Sequence, residues 1–187
     1  MRIVVIDVET TSLHRTPRSG VAHIGASEVD TGLLDTTGDS YQAVCKPVED
    51  RSLIEEAWIF GQGELTVDQV MEAPDHDEVA TEFREWLGDR PWTAYNLAFE
   101  EQFLCAEPWD LPRSGLECIM LAAAPVCKLP GDGYHGDDYK WPKLREAWAH
   151  LVGGAYPRVW HSALQDAVAA GSILLVLVEM GHYRISD

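Results

Sequence analysis

Five side chains in this sequence have the types and spacing to do chemistry together: Asp7, Glu9, Glu100, His161 and Asp166. Asp7 and Glu9 follow the run Ile3-Val4-Val5-Ile6, whose β-branched residues read as a strand covered on both faces. Residues two apart on a strand project to the same side, so two carboxylates leave the core together. Repulsion and desolvation oppose that placement. The pair must therefore sit at an exposed strand end or be neutralised by a cation. Glu100 falls one turn into a helix leaving the strand Pro91 to Tyr95, within reach of a neighbouring strand end. Asp166 lies in the first turns of the final helix, among Ala163, Leu164, Ala167 and Val168. His161 precedes Asp166 by five residues, which at ~100° per residue would put the two on different helix faces. The histidine therefore belongs on the loop before the helix, free to swing.

Four carboxylates and one mobile histidine meet the needs of phosphodiester hydrolysis with two metal ions. Hard oxygen ligands suit Mg²⁺ or Mn²⁺, two ions ~4 Å apart can clamp the attacking and leaving oxygens, and the histidine can take the proton from water. Each residue also has a plainer reading. Asp7-x-Glu9 can be a strand-end turn, Glu100 a solvated helix residue, Asp166 an acid favoured near a helix N-terminus, and His161 a cap or surface residue. What sets the five apart is their joint occurrence on compatible elements.

The elements that must position them read as strands first, then helices mixed with strands. After the first strand and a polar turn from Ser12 to Gly20, Val21 to Val29 alternates as a second strand, and Asp30-Thr31-Gly32 turns out of it. Tyr41 to Lys46 supplies a third, stopped by Pro47. Short helices follow from Ser52 and from Val67 to Met71. Asp75-His76-Asp77-Glu78 has the order of a capping box for an amphipathic helix through Val79, Phe83, Trp86 and Leu87 to Gly88. Asn96 can cap the helix bearing Phe99, Glu100, Phe103 and Leu104, and Leu116 to Ala124 forms another ended by Pro125. Residues 126 to 140 read as a mobile loop, Leu144 to Leu151 as a helix, and Ser162 to Met180 as the last long one, closed by Gly181. The pattern is an α/β domain: a mixed central sheet with an antiparallel N-terminal meander, flanked by helices.

The 187 residues, 46% hydrophobic, fit one domain, residues 1 to 187. A formal charge of −17 argues against electrostatic coating of duplex DNA, while leaving open short or single-stranded nucleic acid held by a local patch and metal ions. Cys45, Cys105, Cys118 and Cys127 lack zinc-site spacing and read as reduced thiols. Neither Met1 to Ile6 nor Ile173 to Val178 is long enough to act as a signal or to span a bilayer, so a soluble cytoplasmic protein with no membrane role is expected. Trp141 lies among Tyr139, Lys140, Lys143 and Arg145 and can stack a base or hold phosphate, or simply begin a helix with exposed lysines. Asp75-x-Asp77 and Asp137-Asp138 lack full calcium-loop spacing.

Asp7-Val8-Glu9-Thr10-Thr11-Ser12-Leu13, Tyr95-Asn96-Leu97-Ala98-Phe99-Glu100 and His161-Ser162-Ala163-Leu164-Gln165-Asp166-Ala167 resemble, in order, the three motifs of DEDDh-type 3′-to-5′ exonucleases, the proofreading-subunit superfamily. The resemblance extends through His23-Ile24-Gly25-Ala26 and Ala73-Pro74, and Cys118-Ile119-Met120-Leu121-Ala122 is most similar to the short exonuclease X branch. It implies a ribonuclease-H-like fold, with Asp7, Glu9, Glu100 and Asp166 as ligands of two divalent cations and His161 as general base. It also implies that Thr10, Thr11 and Leu13, with Asn96 and Phe99 nearby, receive the terminal nucleotide. Three positions depart from the family pattern: Glu100 stands where Asp is usual, Ser12 where glycine is, and Tyr95 where histidine is common. The expected activity is release of nucleoside monophosphates from a single-stranded 3′ end, with DNA favoured. A non-catalytic module that binds a nucleic-acid end or a protein partner, and an exoribonuclease, are the alternatives. The sequence does not fix the oligomeric state.

Overall fold

Period-two alternation in the first strand, β1 (Arg2–Thr10), divides the protein into two cores. Val4, Ile6 and Val8 point to one face and pack with Val79, Phe83, Leu87, Phe103 and Leu104. Ile3 and Val5 point to the other and pack with Ile119, Ala123, Ala170, Ile173, Leu174 and Leu177. Asp7 and Glu9 continue this second, odd-numbered face beyond the apolar run. The computed structural model describes residues 1–15, 20–47, 51–61, 65–131, 139–156 and 162–185.

The strand order is β3-β2-β1-β4, with β2 spanning Val21–Asp30, β3 Asp35–Val44 and β4 Trp92–Ala94. β1 pairs antiparallel with β2 and parallel with β4, while β2 and β3 complete the antiparallel meander. The sheet is therefore mixed, as the sequence predicts. Helices α1 (Arg51–Ile54) and α2 (Val67–Met71), with a 3-10 turn at Trp58–Gly61, gather Ile54, Ile59, Leu65 and Val70 onto Ala22 as a small third core. Helices α3 (His76–Leu87) and α4 (Leu97–Leu104) cover the first face, and α5 (Ile119–Cys127), α6 (Leu144–Leu151) and α7 (Ala163–Glu179) the second. Among the described residues no helix is long and apolar enough to cross a membrane.

Three local expectations are corrected. β3 begins at Asp35 rather than Tyr41; its leading residues are exposed at the sheet edge, so polarity hides the strand. α5 runs through Pro125 to Cys127, because Ile119, Ala123 and Cys127 anchor one face in the second core and outweigh one lost amide donor. Asp75 is the N-cap residue of α3 but makes no side-chain cap bond. Its backbone bridges Lys46, and its carboxylate lies 3.9 Å from Lys46 Nζ. The loop expected over 126 to 140 is described only at its ends, where Lys140 N–H donates to Leu129 O at 3.1 Å; Asp137-Asp138 lies outside the described residues.

The long helix α7 crosses β2 at very short range. A Cβ on Gly25 would lie 2.0 Å from the Leu164 amide nitrogen and 2.2 Å from the Ala163 carbonyl carbon. Gly25 is the register partner of Asp7. The absent side chain at position 25 thus lets the first turn of α7 descend onto the sheet beside β1.

Candidate active site

The sheet and α7 together bring three of the four expected carboxylates to one place. One oxygen each from Asp7, Glu9 and Asp166 lie within 4.8 Å of one another. Asp7 and Glu9 arrive by strand alternation, and Asp166 occupies the first turn of α7 just past the Gly25 contact. Glu100 completes the set electrostatically rather than as a fourth member of that close group. It stands in the first turn of α4, only 3% exposed, and its Oε2 is buried without a hydrogen-bond partner. Read alone, Glu100 looks like a solvated helix residue; the fold buries it against the other acids.

The electrostatics record the cost of this convergence. Burial, followed by the charges of Glu100, Glu9 and Asp166, pushes the Asp7 carboxyl well above its ordinary value. Burial and then Asp166 push Glu9 up to about 8. Glu100 also rises to about 8, first by burial, opposed by its own backbone N–H and assisted by Glu9. Crowded, desolvated carboxylates of this kind are a signature of functional sites, because stability alone would remove them. The donor set is all oxygen, strongly anionic and partly orphaned, which fits Mg²⁺ or Mn²⁺ and does not fit a softer metal.

The residues expected to meet the terminal nucleotide lie on the loop that leaves β1 and at the start of α4. Thr10 Oγ1 donates to Ser12 O at 2.6 Å, and Thr11 exchanges bonds with Gly20: its N–H donates to Gly20 O at 3.1 Å, and Gly20 N–H donates to Thr11 Oγ1 at 3.1 Å. These hydroxyls brace the loop that leaves β1. Leu13 on that loop is 73% exposed, which excludes its reading as plain core. Asn96 is the exposed N-cap of α4, and Phe99 tilts against Phe103 with centroids 5.3 Å apart. His161 lies outside the described residues; the residue after it, Ser162, is the N-cap of α7.

Three residues with no predicted role stand against the carboxylates. Gly25 has been described. His23 is the register partner of Glu9, so its buried side chain shares the carboxylate face; burial lowers its pKa to about 4 and keeps it neutral. Tyr156 donates its hydroxyl to Asp166 Oδ1 at 2.8 Å. Its pKa is raised by burial and by Asp166, so it remains a donor. Only the chance proximity of an aromatic to the third motif could have flagged it. Of the basic stretch, Lys140 pairs with Glu146 at 2.6 Å, Arg145 lies over the Tyr156 ring, and Trp141 is 42% exposed.

A sheet of this order, with an acidic cluster where β1 meets the first turn of α7, defines a nuclease domain. The RNase T exonuclease family model matches residues 4–111, more than half of the chain, and the protein belongs to that exonuclease family. The PolC-type DNA polymerase III of Staphylococcus aureus is 33% identical over 101 residues, which are 54% of this chain and 6% of the polymerase. The chain thus spans a small fraction of the curated relatives it matches. Among solved structures, the nuclease domain of 3′hExo, described as a DEDDh family member bound to rAMP, superposes with a TM-score of 0.70 at 17% identity over 100% of this chain and 96% of that one. A 3′-exonuclease described as recognising a histone mRNA stem-loop gives 0.70 at 18% identity, over 98% and 84%. Cell-death related nuclease 4 gives 0.63 at 16%, over 96% and 64%. The fold is the ribonuclease-H-like fold of DEDDh exonucleases. The family match stops at residue 111, before Asp166, so Asp166 is tied to Asp7 and Glu9 by the geometry.

Proposed function

We propose that residues 1–187 form a single exonuclease domain that removes nucleoside monophosphates from the 3′ end of single-stranded nucleic acid, DNA in preference to RNA. The observation that carries this reading is the convergence of Asp7, Glu9 and Asp166 oxygens within 4.8 Å. Asp7, Glu9 and Asp166 would hold one divalent cation, and Asp7 with Glu100 a second. Bound there, the ions offset charge developing on the attacking and leaving oxygens. The chain's own groups do the rest. His161, on the segment entering α7, takes a proton from the attacking water as its oxygen bonds to phosphorus and the bond to the leaving 3′ oxygen breaks. Leu13 and Phe99 pack the terminal base, and the braced Thr10-Thr11 loop presents its backbone to the nucleotide. The exposed Trp141 and the neighbouring basic residues guide the rest of the strand.

The polymerase relative supports DNA. The structures named for rAMP and for a histone mRNA stem-loop support RNA as the second reading. A net charge of −17 suits a protein partner better than long duplex DNA. Four free thiols suit the cytoplasm.

The test is a side-by-side digestion of 5′-labelled single-stranded DNA, duplex DNA and RNA with Mn²⁺, Mg²⁺ or chelator. Single-stranded DNA should shorten fastest, and only with metal; preference for RNA would establish the second reading. His161→Ala should lose about 10²- to 10⁴-fold in rate while still binding Mn²⁺, and undiminished turnover would remove the general-base role. Because the base must be neutral, activity should fall as pH drops through the histidine pKa. Glu100→Asp should change the rate and the Mn²⁺/Mg²⁺ ratio by about 2- to 10-fold rather than abolish cleavage, since one methylene shifts the carboxylate without removing it. An inert variant would show that the longer side chain is required.

A further inference from the structure

Tyr156 stands between α6 and the carboxylate cluster. Its hydroxyl donates to Asp166 Oδ1 at 2.8 Å. Its ring meets Trp148 edge-on, with centroids 5.6 Å apart and planes at 80°. The Arg145 guanidinium lies 5.5 Å from the same ring centroid. Trp148 and Arg145 both belong to α6, so that helix braces the phenol ring. Edge-to-face and cation–π contacts of this kind hold an aromatic ring in place without satisfying its hydroxyl. The hydroxyl donates to Asp166.

Asp166 is the acid for which such support counts most. Asp7 and Glu9 issue from the central strand of the sheet, with hydrogen-bonded neighbours on β2. Asp166 issues from the first turn of α7, which is seated by the Gly25 contact, and its Oδ1 accepts the Tyr156 hydroxyl. Removing a group that orients a metal ligand typically costs about 10- to 100-fold in metal affinity.

We propose that Tyr156 is a positioning residue for Asp166: its hydroxyl bond, braced by Trp148 and Arg145, fixes the rotation of that carboxylate toward Asp7 and Glu9 for divalent-ion binding. The inference rests on the reading of Asp166 as a metal ligand. It assigns Tyr156 no contact with substrate and no proton transfer.

The experiment compares native protein, Tyr156→Phe and Asp166→Asn by Mn²⁺ calorimetry, by melting in chelator, and by cleavage of a 5′-labelled oligonucleotide against Mn²⁺ concentration. Tyr156→Phe keeps the ring and its contacts with α6. Its Mn²⁺ affinity should fall about 10- to 100-fold while its metal-free melting temperature stays unchanged, and saturating Mn²⁺ should restore most of its cleavage rate. Asp166→Asn should lose Mn²⁺ binding without such rescue. A second readout needs no folding control: Mn²⁺ added to the native protein should produce a tyrosine difference spectrum that Tyr156→Phe abolishes. Unchanged or tighter Mn²⁺ binding by Tyr156→Phe, with Asp166→Asn impaired, would overturn the positioning role alone. Unchanged binding by both variants would remove the ligand reading and the proposal with it, and a native protein with no tyrosine signal would also overturn the proposal.

Discussion

Asp7→Asn is expected to abolish metal-dependent cleavage and, in chelator, to make the protein more stable. Asp7 is the acid whose carboxyl is raised by burial and by all three of its neighbours, so its charge is opposed from every side. The amide is nearly isosteric and removes that charge. Loss of a bridging ligand should cost at least about 10³-fold in rate, the equivalent of the several kcal/mol that a bound metal supplies. The metal-free melting temperature should rise by about 2–8 °C, at roughly 2–4 °C per kcal/mol for a chain of this size. Loss of both activity and stability would mean that Asp7 is a structural group and would sink the metal reading.

The same crowding gives the metal-free protein a pH dependence of definite sign. Glu9 and Glu100 both rise from 4.5 to about 8 in the folded protein, so between those values the folded state binds more protons than the unfolded one. Stability must then fall as pH rises through that window, with the penalty complete above about pH 8. Mn²⁺ should reverse the trend, because its ligands must be deprotonated and its binding strengthens as pH rises. At a hundredfold excess over the dissociation constant it should add about 2.7 kcal/mol. Melting curves at pH 5 and pH 8, with chelator and with Mn²⁺, read this directly. A chelated protein equally stable at both would contradict the crowding.

The parts of the site that could be read in the sequence are those governed by local periodicity. Asp7 and Glu9 share a face because strand side chains alternate, and Asp166 falls in a first helical turn because the apolar residues around it have helical spacing. What stayed hidden is non-local. The burial of Glu100 is set by tertiary packing, which helix position does not reveal. The bond from Tyr156 to Asp166 joins two residues that no helical or strand periodicity in the sequence relates. The early residues of β3 are polar because the strand is an exposed edge, so alternation had nothing to register. Pro125 shows the opposite failure, a strong local stop signal overruled by the buried face of α5.

Gly25→Ala is expected to damage the site from beneath, and it isolates what the sheet contributes to catalysis. The added methyl would lie 2.0 Å from Leu164 N and 2.4 Å from Leu164 Cα, both backbone atoms of the turn that carries Asp166. No rotamer change relieves such a contact; the helix or the strand must move. Overpacking of this kind costs about 1–3 kcal/mol or more, which for this chain lowers the melting temperature by at least about 2–12 °C. The displacement also carries Asp166 away from Asp7 and Glu9. Mn²⁺ affinity and cleavage should therefore fall further than Tyr156→Phe lowers them, by more than about 10²-fold. Gly171→Ala is the control on the same helix. Its methyl would meet Val29 Cγ1 at 3.0 Å, a side-chain rather than a backbone atom, in the second core and more than one helical turn beyond Asp166. It should cost stability with Mn²⁺ affinity unchanged. If Gly171→Ala weakened the metal as much as Gly25→Ala does, the site would depend on the seating of the whole helix. If neither did, Asp166 would not be held by the approach of α7 to β2, and the geometric basis of the carboxylate cluster would fail.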